Sequence, residues 1–244
     1  MLGVQLYSVK DDLAAASLPR TLERLAGMGF THAEPYDILG DTAGLARAAE
    51  SAGLLLEAAH ANLVTLDPAR VLDAAAALGL GTVIVPWTDP EGIADRAGVQ
   101  RLAAAINDQV EPAAARGIRL GYHNHDFEFA TAIGGSSAWE LLVEELDPRV
   151  ILELDTFWAS IGGGDVVEIL GRLGDRIPYL HVKNEPADPG DPPFAGPDIT
   201  GRLDAVLAAA PALDMPVVEI VVDDGDVYPV LERNARYFAG LVAR

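Results

Sequence analysis

Three short stretches set metal-ligating and proton-carrying side chains one residue apart, and a fourth adds a lone acid. GYHNHDFEF (121–129) carries His123, Asn124 and His125; VILELD (150–155) carries Glu153 and Asp155; IPYLHVK (177–183) carries His181 and Lys183; MPVVEIV (215–221) carries Glu219. Each acid or imidazole follows an apolar run of about strand length. In a strand, residues two apart share a face. That pairs Glu153 with Asp155 and His181 with Lys183. It also pairs His123 with His125 if the strand runs through both, with Asn124 then facing away. A mouth holding His123 or His125 with Asp155, His181 and Glu219 offers two imidazoles and two carboxylates. Such a nitrogen and oxygen set suits Mn²⁺, Zn²⁺, Co²⁺ or Fe²⁺ better than Ca²⁺. The chain has no cysteine, which excludes disulfides and thiolate metal sites.

Elements in strict alternation must position these residues. Apolar runs at 2–8, 31–36, 54–60, 81–87, 118–124, 150–155, 177–183 and 215–221 read as buried strands. Between them, segments of helical period lie at 19–28, 41–52, 67–79, 97–116, 136–146, 164–174, 201–210 and 227–243. Asp41, Asp67 before Pro68, and Ser136-Ser137 read as helix starts; Gly29, Gly53, Gly79, Gly117 and Gly174 read as helix ends. Eight strand–helix units in 244 residues predict an α/β fold. The specific expectation is a single (β/α)8 TIM barrel spanning 1–244, with its active site at the C-terminal ends of the strands. A doubly wound sheet would carry a glycine-rich phosphate turn after the first strand, and YSVKDDL has no glycine. The Gly162–Gly164 run is too loose for a dinucleotide fingerprint and reads as a turn into the next helix. NEPADPGDPPFAGPDIT (184–200) is too long for a plain connection and reads as a lid or a disordered loop.

The unusual polar residues fall where a barrel places its chemistry. Strand ends carry Gln5 and Tyr7, Glu34 and Tyr36, His60, Trp87, His123 to His125, Glu153 and Asp155, His181 and Lys183, and Glu219. His32 instead starts a strand, which puts it at the opposite face. Buried charges on one rim are costly unless paired or bound to metal.

Composition narrows the partners. Seventeen basic residues against 37 acidic ones give a net charge of −20, so no basic footprint for nucleic acid is present. Half the residues are hydrophobic and 22% are charged, as in a soluble globular protein. No apolar run reaches the ~18 residues of a membrane span. The start, MLGVQLYSVKDD, lacks the pattern of a signal peptide, so a cytoplasmic protein is expected.

GVQLYSVKD, GYHNHDFEF, ELDTFWASIGGGD, HVKN and VVEI, in this order from first strand to last, resemble the sugar phosphate isomerase/epimerase family of the xylose-isomerase-like TIM barrel superfamily. The resemblance implies one divalent ion (Mn²⁺, Zn²⁺, Co²⁺ or Mg²⁺) on His123, Asp155, His181 and Glu219, a small-molecule sugar substrate, and a homo-oligomer as one option. Two positions depart from the family pattern. His123 stands where a Glu is usual, and in ketose epimerases that Glu pairs with the strand-eight Glu as acid and base. Trp158 stands where the epimerases carry a His three residues after the Asp. These departures point away from plain ketose 3-epimerisation.

The chemistry expected is enolisation. A bound ion polarises the carbonyl of a hydroxy-ketone and acidifies the neighbouring C–H. The enediolate is then reprotonated, giving epimerisation or isomerisation of a ketose, keto-sugar or keto-inositol, or it expels a leaving group. Glu219 is the first candidate base and His125 the next, with Lys183 stabilising the oxyanion. Gln5, Tyr7, Glu34, His60, Trp87, Glu153 and Trp158 are candidate substrate-binding residues, with Phe157 as a further apolar wall. Glu128 either reaches the site or caps the next loop. Only Lys183 offers a cation at the rim, so a non-phosphorylated sugar is expected. A metal-dependent lyase or dehydratase of 3-keto sugars is the alternative within the same chemistry. A non-catalytic sugar-binding barrel is the alternative of another class. A DNA-repair endonuclease needs a richer metal cluster and a basic groove, and neither is present.

Overall fold

The computed structural model describes residues 1–15, 17–184, 203–222 and 225–242. Within them eight parallel strands form a nearly closed barrel: β1 Gly3–Gln5, β2 His32–Glu34, β3 Ala58–His60, β4 Thr82–Val85, β5 Arg119–His123, β6 Ile151–Asp155, β7 Tyr179–Asn184 and β8 Met215–Ile220. The ladder runs β2, β1, β8, β7, β6, β5, β4, β3. The seam between β2 and β3 closes through single bonds. Ala33 N–H donates to Leu55 O at 2.9 Å, and His60 N–H donates to Pro35 O at 2.8 Å. The apolar run 54–60 is therefore split by its neighbours: Leu55 bridges to His32, while Ala58 to His60 pair with β4. No helix among the described residues is long and apolar enough to cross a membrane.

The helices follow the expected punctuation. Asp41 accepts from Gly44 N–H, Asp67 from Ala69 and Arg70 N–H, and Ser137 forms a capping box with Glu140. Gly53 and Gly79 close their helices in the left-handed conformation, at φ 72° and 71°. Gly174 does not: it lies in a right-handed turn that continues as a 3₁₀ segment, Gly174–Arg176. The predicted 97–116 helix is two, Arg96–Asn107 and Val110–Ala114. The start of the predicted 136–146 helix is a small hairpin pairing Ala132–Ile133 with Ser136–Ser137. The first strand ends at Gln5 rather than Ser8. The Gln5 side chain accepts from Tyr7 N–H and turns the chain into a 3₁₀ segment, Leu6–Val9. The predicted lid at 184–200 lies, beyond Asn184, outside the described residues.

Strand periodicity fills the barrel in layers. Every second residue points inward, so β6 delivers Ile151, Glu153 and Asp155, β7 delivers Tyr179, His181 and Lys183, and β8 delivers Met215, Val217 and Glu219. The lowest layer is an apolar plug of Ala58, Ile84, Ile151, Tyr179, Met215 and Val217, separate from the core between strands and helices. Gly121 belongs to this layer: a Cβ there would come within 2.8 Å of Ile151 and 3.0 Å of Ile84, so its absence lets both fill the barrel. His32 enters at this end, buried, with Nδ1 2.8 Å from Thr31 Oγ1.

Candidate active site

Above the plug the barrel turns polar in two steps. The lower step holds Gln5, Glu34, His60 and Glu153, all buried. The upper step holds His123, Asp155, Lys183 and Glu219 at the strand ends, and His181 joins the two. One oxygen of Glu153 is the hub of the lower step. Its Oε2 lies 2.7 Å from His60 Nε2, 3.1 Å from His123 Nδ1 and 3.2 Å from His181 Nε2. Glu34 Oε2 accepts from Gln5 Nε2 at 2.8 Å and lies 2.7 Å from His181 Nε2. The other ring nitrogens face up. His181 Nδ1 is 3.3 Å from Glu219 Oε2, and His123 Nε2 is 4.0 Å from Asp155 Oδ2.

The strand ends are locked. Asn124, expected to face away, is fully buried: its side chain accepts from Asp155 N–H at 2.9 Å and donates to Asp155 O at 3.2 Å, tying β5 to β6. Asp155 Oδ1 caps the following helix by accepting from Trp158 N–H at 2.8 Å. Thr156 Oγ1 donates to His181 O at 3.0 Å and ties β6 to β7. β5 ends at His123, so His125 sits on a turn and not on the strand. Glu128 holds that turn, accepting from His125 N–H at 2.8 Å and from Tyr122 O–H at 2.7 Å. Glu128 therefore does not line the site; it caps the loop after β5 and anchors His125 from behind. Tyr122 gave no signal in the sequence beyond being one aromatic in an apolar run.

Burial and mutual charge set the protonation. Burial pushes Asp155 up to about 7 against the pull of Lys183 and His181. Glu219 is held well below the usual range because Lys183 and His181 outweigh its burial. Glu153 is held well below it, with His181 and His60 outweighing burial, while burial and Glu153 raise Glu34. Burial works to lower His181, yet Glu153 and its other acidic partners hold it well above the usual imidazole range. Burial and His181 put His123 well below that range. Burial and Lys183 bring His125 down to about 4.

A cavity of about 410 Å³ opens above, lined by Tyr7, Tyr36, His60, Trp87, His123, His125, Trp158, Lys183 and Glu219, with Pro86 and Val221. It is two-sided. β5 to β8 contribute the charged groups, whereas β1, β2 and β4 lead to Tyr7, Tyr36 and Trp87, exposed by 40%, 37% and 45%. Trp158 Nε1 and His125 Nδ1 are buried without a hydrogen-bond partner. Of the expected substrate contacts, Tyr7, His60, Trp87 and Trp158 line this cavity. Gln5, Glu34 and Glu153 do not: Gln5 and Glu34 bond to each other at the ends of β1 and β2 and lie, with Glu153, one layer below, covered by their neighbours. Phe157 is buried in the core and outside the lining. Lys183 is the cation among the residues that line this cavity, while Lys10 Nζ stands 4.0 Å from the Tyr7 ring centroid in a neighbouring cleft.

The donor set fits a divalent ion. Asp155, His181 and Glu219 each present a ligand atom within 4.8 Å of the others. Asp155 Oδ2 is buried and accepts no hydrogen bond, and Lys183 Nζ, at 3.9 Å, stands too far to donate one, so a ligand position stays open on this oxygen. His60, His123, Glu153 and His181 also converge within 4.8 Å. There, however, the ring nitrogens stand at hydrogen-bond distance from one carboxylate oxygen, an arrangement that N–H groups fill.

Comparison with known proteins agrees with this fold. Residues 67–202 match the family model described as xylose isomerase-like TIM barrel. A 2-epi-5-epi-valiolone 7-phosphate 2-epimerase of an Actinoplanes species is 32% identical over 199 residues, 75% of this chain and 70% of that protein. An inosose dehydratase of Geobacillus kaustophilus is 39% identical over 69 residues, but this stretch spans 28% of this chain and only 21% of the dehydratase. Among solved structures, a sugar phosphate isomerase/epimerase from Parabacteroides distasonis superposes with a TM-score of 0.81 at 23% identity, covering 97% of this chain and 92% of that one.

Proposed function

As this chain belongs to the xylose isomerase-like TIM barrel family, we propose that it is a divalent-metal-dependent isomerase or epimerase of a ketose, keto-sugar or keto-inositol. The observation that carries the reading is the convergence of Asp155, His181 and Glu219 at three strand ends, with Asp155 Oδ2 buried and accepting no hydrogen bond. His123 stands outside this set, and its Nε2, 4.0 Å from Asp155 Oδ2, is the fourth ligand this reading adds. A bound ion would supply Lewis acidity toward the carbonyl of a hydroxy-ketone.

The chain's own groups do the rest. Glu219, held ionised by Lys183 at 3.0 Å, takes the proton α to the carbonyl. Lys183 also stands 3.9 Å from Asp155 Oδ2 and 4.9 Å from the Trp158 ring centroid, where its charge steadies the developing oxyanion. His125 is neutral at physiological pH, and its bare ring nitrogen accepts or relays a proton; Glu128 keeps it in place. Trp158 Nε1 donates to a substrate hydroxyl, while Tyr7, Trp87 and the Trp158 face receive the C–H faces of the sugar. Elimination from the same enediolate is the second reading, favoured by the stretch shared with inosose dehydratase.

The test is proton exchange in D₂O with the metal-loaded protein and a panel of ketoses, keto-inositols and 3-keto sugars, followed by proton NMR. A C–H signal should vanish with wild type and persist with Glu219→Gln, and the products separate epimerase from isomerase from lyase. Exchange that survives Glu219→Gln would remove Glu219 as the base. No exchange by protein shown to hold metal would favour the sugar-binding barrel.

A further inference from the structure

The two imidazoles at the strand ends are each backed by a buried carboxylate, and the backing is crossed. In His181 the nitrogen that faces down is Nε2, 2.7 Å from Glu34 Oε2, and the one that faces up is Nδ1. In His123 the nitrogen that faces down is Nδ1, 3.1 Å from Glu153 Oε2, and the one that faces up is Nε2. A neutral imidazole carries one N–H, and the tautomer follows the stronger acceptor. Glu34 and Glu153 are ionisable acceptors with almost no solvent access, at 1% and 0% exposure. Neither touches the cavity, and neither reaches the place where Asp155 and Glu219 converge.

We propose that Glu34 and Glu153 are positioning residues that set opposite tautomers in His181 and His123, so that both rings turn a bare nitrogen toward the metal position. This rests on the metal reading of the site. Glu34 holds His181 as the Nε2–H form and leaves Nδ1 free; Glu153 holds His123 as the Nδ1–H form and leaves Nε2 free. Carboxylates behind ligand imidazoles fix ring orientation and raise ligand basicity, and losing one typically costs 10–100-fold in metal affinity. His60 keeps the two carboxylates together, with Nε2 2.7 Å from Glu153 Oε2 and 3.4 Å from Glu34 Oε2. Its ring stacks on His181 at 5.1 Å between centroids and 13° between planes. Gln5 holds Glu34 from the far side. The buried polar layer that the sequence suggested for substrate contact thus orients the ligands.

The experiment measures Zn²⁺ affinity by chelator competition in wild type, Glu34→Leu, Glu34→Gln, Glu153→Leu and Glu153→Gln. It also records the imidazole ¹⁵N spectrum of the Zn²⁺-loaded wild type and the thermal midpoint of each apo protein. We expect the Leu variants to lose 10–100-fold in affinity and the Gln variants to recover most of it, because the amide oxygen still accepts the ring N–H. The spectrum should show Nε2–H for His181 and Nδ1–H for His123. Leu variants that bind Zn²⁺ as wild type does, or a loaded wild type showing the opposite tautomers, would overturn the assignment while leaving the metal reading intact. A wild type that holds no stoichiometric metal would overturn both. A role confined to folding would lower the midpoints of Leu and Gln variants without separating their affinities.

Discussion

At the scale of single residues, Glu128 gives the site its clearest pH signature. It is fully buried, and burial pushes its carboxyl up to about 7, against hydrogen bonds from Tyr122 and from the Glu128 and His125 N–H groups. A carboxyl whose folded pKa is raised stabilises the fold fully below its unfolded pKa and loses that contribution as pH rises through the folded pKa. Between about pH 4.5 and 7 wild type should therefore lose on the order of 3 kcal/mol relative to Glu128→Gln, which stays neutral throughout. Denaturant titrations of both proteins at pH 5, 6, 7 and 8 check this, and a constant difference would show that Glu128 is ionised over the whole range. The partners of Glu128 show what was legible at this scale. Period two and the strand ends placed His123, Asp155, His181 and Glu219 at one mouth. They also placed Gln5 and Glu34 there, one layer too high, because depth depends on how neighbouring strands stagger. Asn124 stays out of the cavity lining, as expected, and its side chain grips the backbone of Asp155, a contact that period two does not reveal.

At the scale of elements, the turn after β5 and the helix after β6 are one packed unit, and glycine makes the contact. A Cβ on Gly162 would lie 2.3 Å from Asp126 O and 2.7 Å from Phe129 Cβ, and one on Gly164 would lie 2.9 Å from Phe129 Cδ1. The nearest neighbour of Gly162 is backbone, so the elements must separate if a side chain is added. This turn carries His125, whose ring stacks on Phe127 at 5.7 Å and stands 5.9 Å from Trp158. Gly162→Ala should cost about 1–3 kcal/mol by overpacking and should lower turnover more than it lowers metal affinity, because it moves His125 and Trp158 while leaving Asp155 and His181 on their strands. Chemical denaturation and a metal titration separate these effects; equal losses in both would mean that the strain spreads into β6. The glycine run read from sequence as a turn is thus also a contact surface. The alternation of strands and helices was legible because apolar runs and caps repeat along the chain. The 3₁₀ segment after β1 was not, because a side chain two residues back redirects the backbone there.

At the scale of the whole molecule, the proposed ligands His123, Asp155, His181 and Glu219 come from β5, β6, β7 and β8, four consecutive staves of the barrel. An ion bound there cross-links half the barrel at its open end and neutralises acids that otherwise face one another. In the metal-free chain the positive charge comes from Lys183 and from His181, whose acidic neighbours hold a proton on it. Binding through Nδ1 displaces that proton, so affinity should fall as pH drops and binding should release protons. The same linkage fixes the effect on stability, because an ion that binds only the folded state at 100 times its dissociation constant contributes about 2.7 kcal/mol. For a chain of this size each kcal/mol moves the thermal midpoint by roughly 2–4 °C. Stripping the protein with a chelator should therefore lower its midpoint by about 5–10 °C, and Mn²⁺ or Zn²⁺ should restore it. Asp155→Asn separates this from a general salt effect. It removes a costly buried charge, so the apo variant should melt no lower than apo wild type, yet added metal should shift it little. A variant that still gains the full shift would place the ion away from Asp155, and a wild type with no shift at saturating metal would leave the barrel as a fold without the ion its donor set fits.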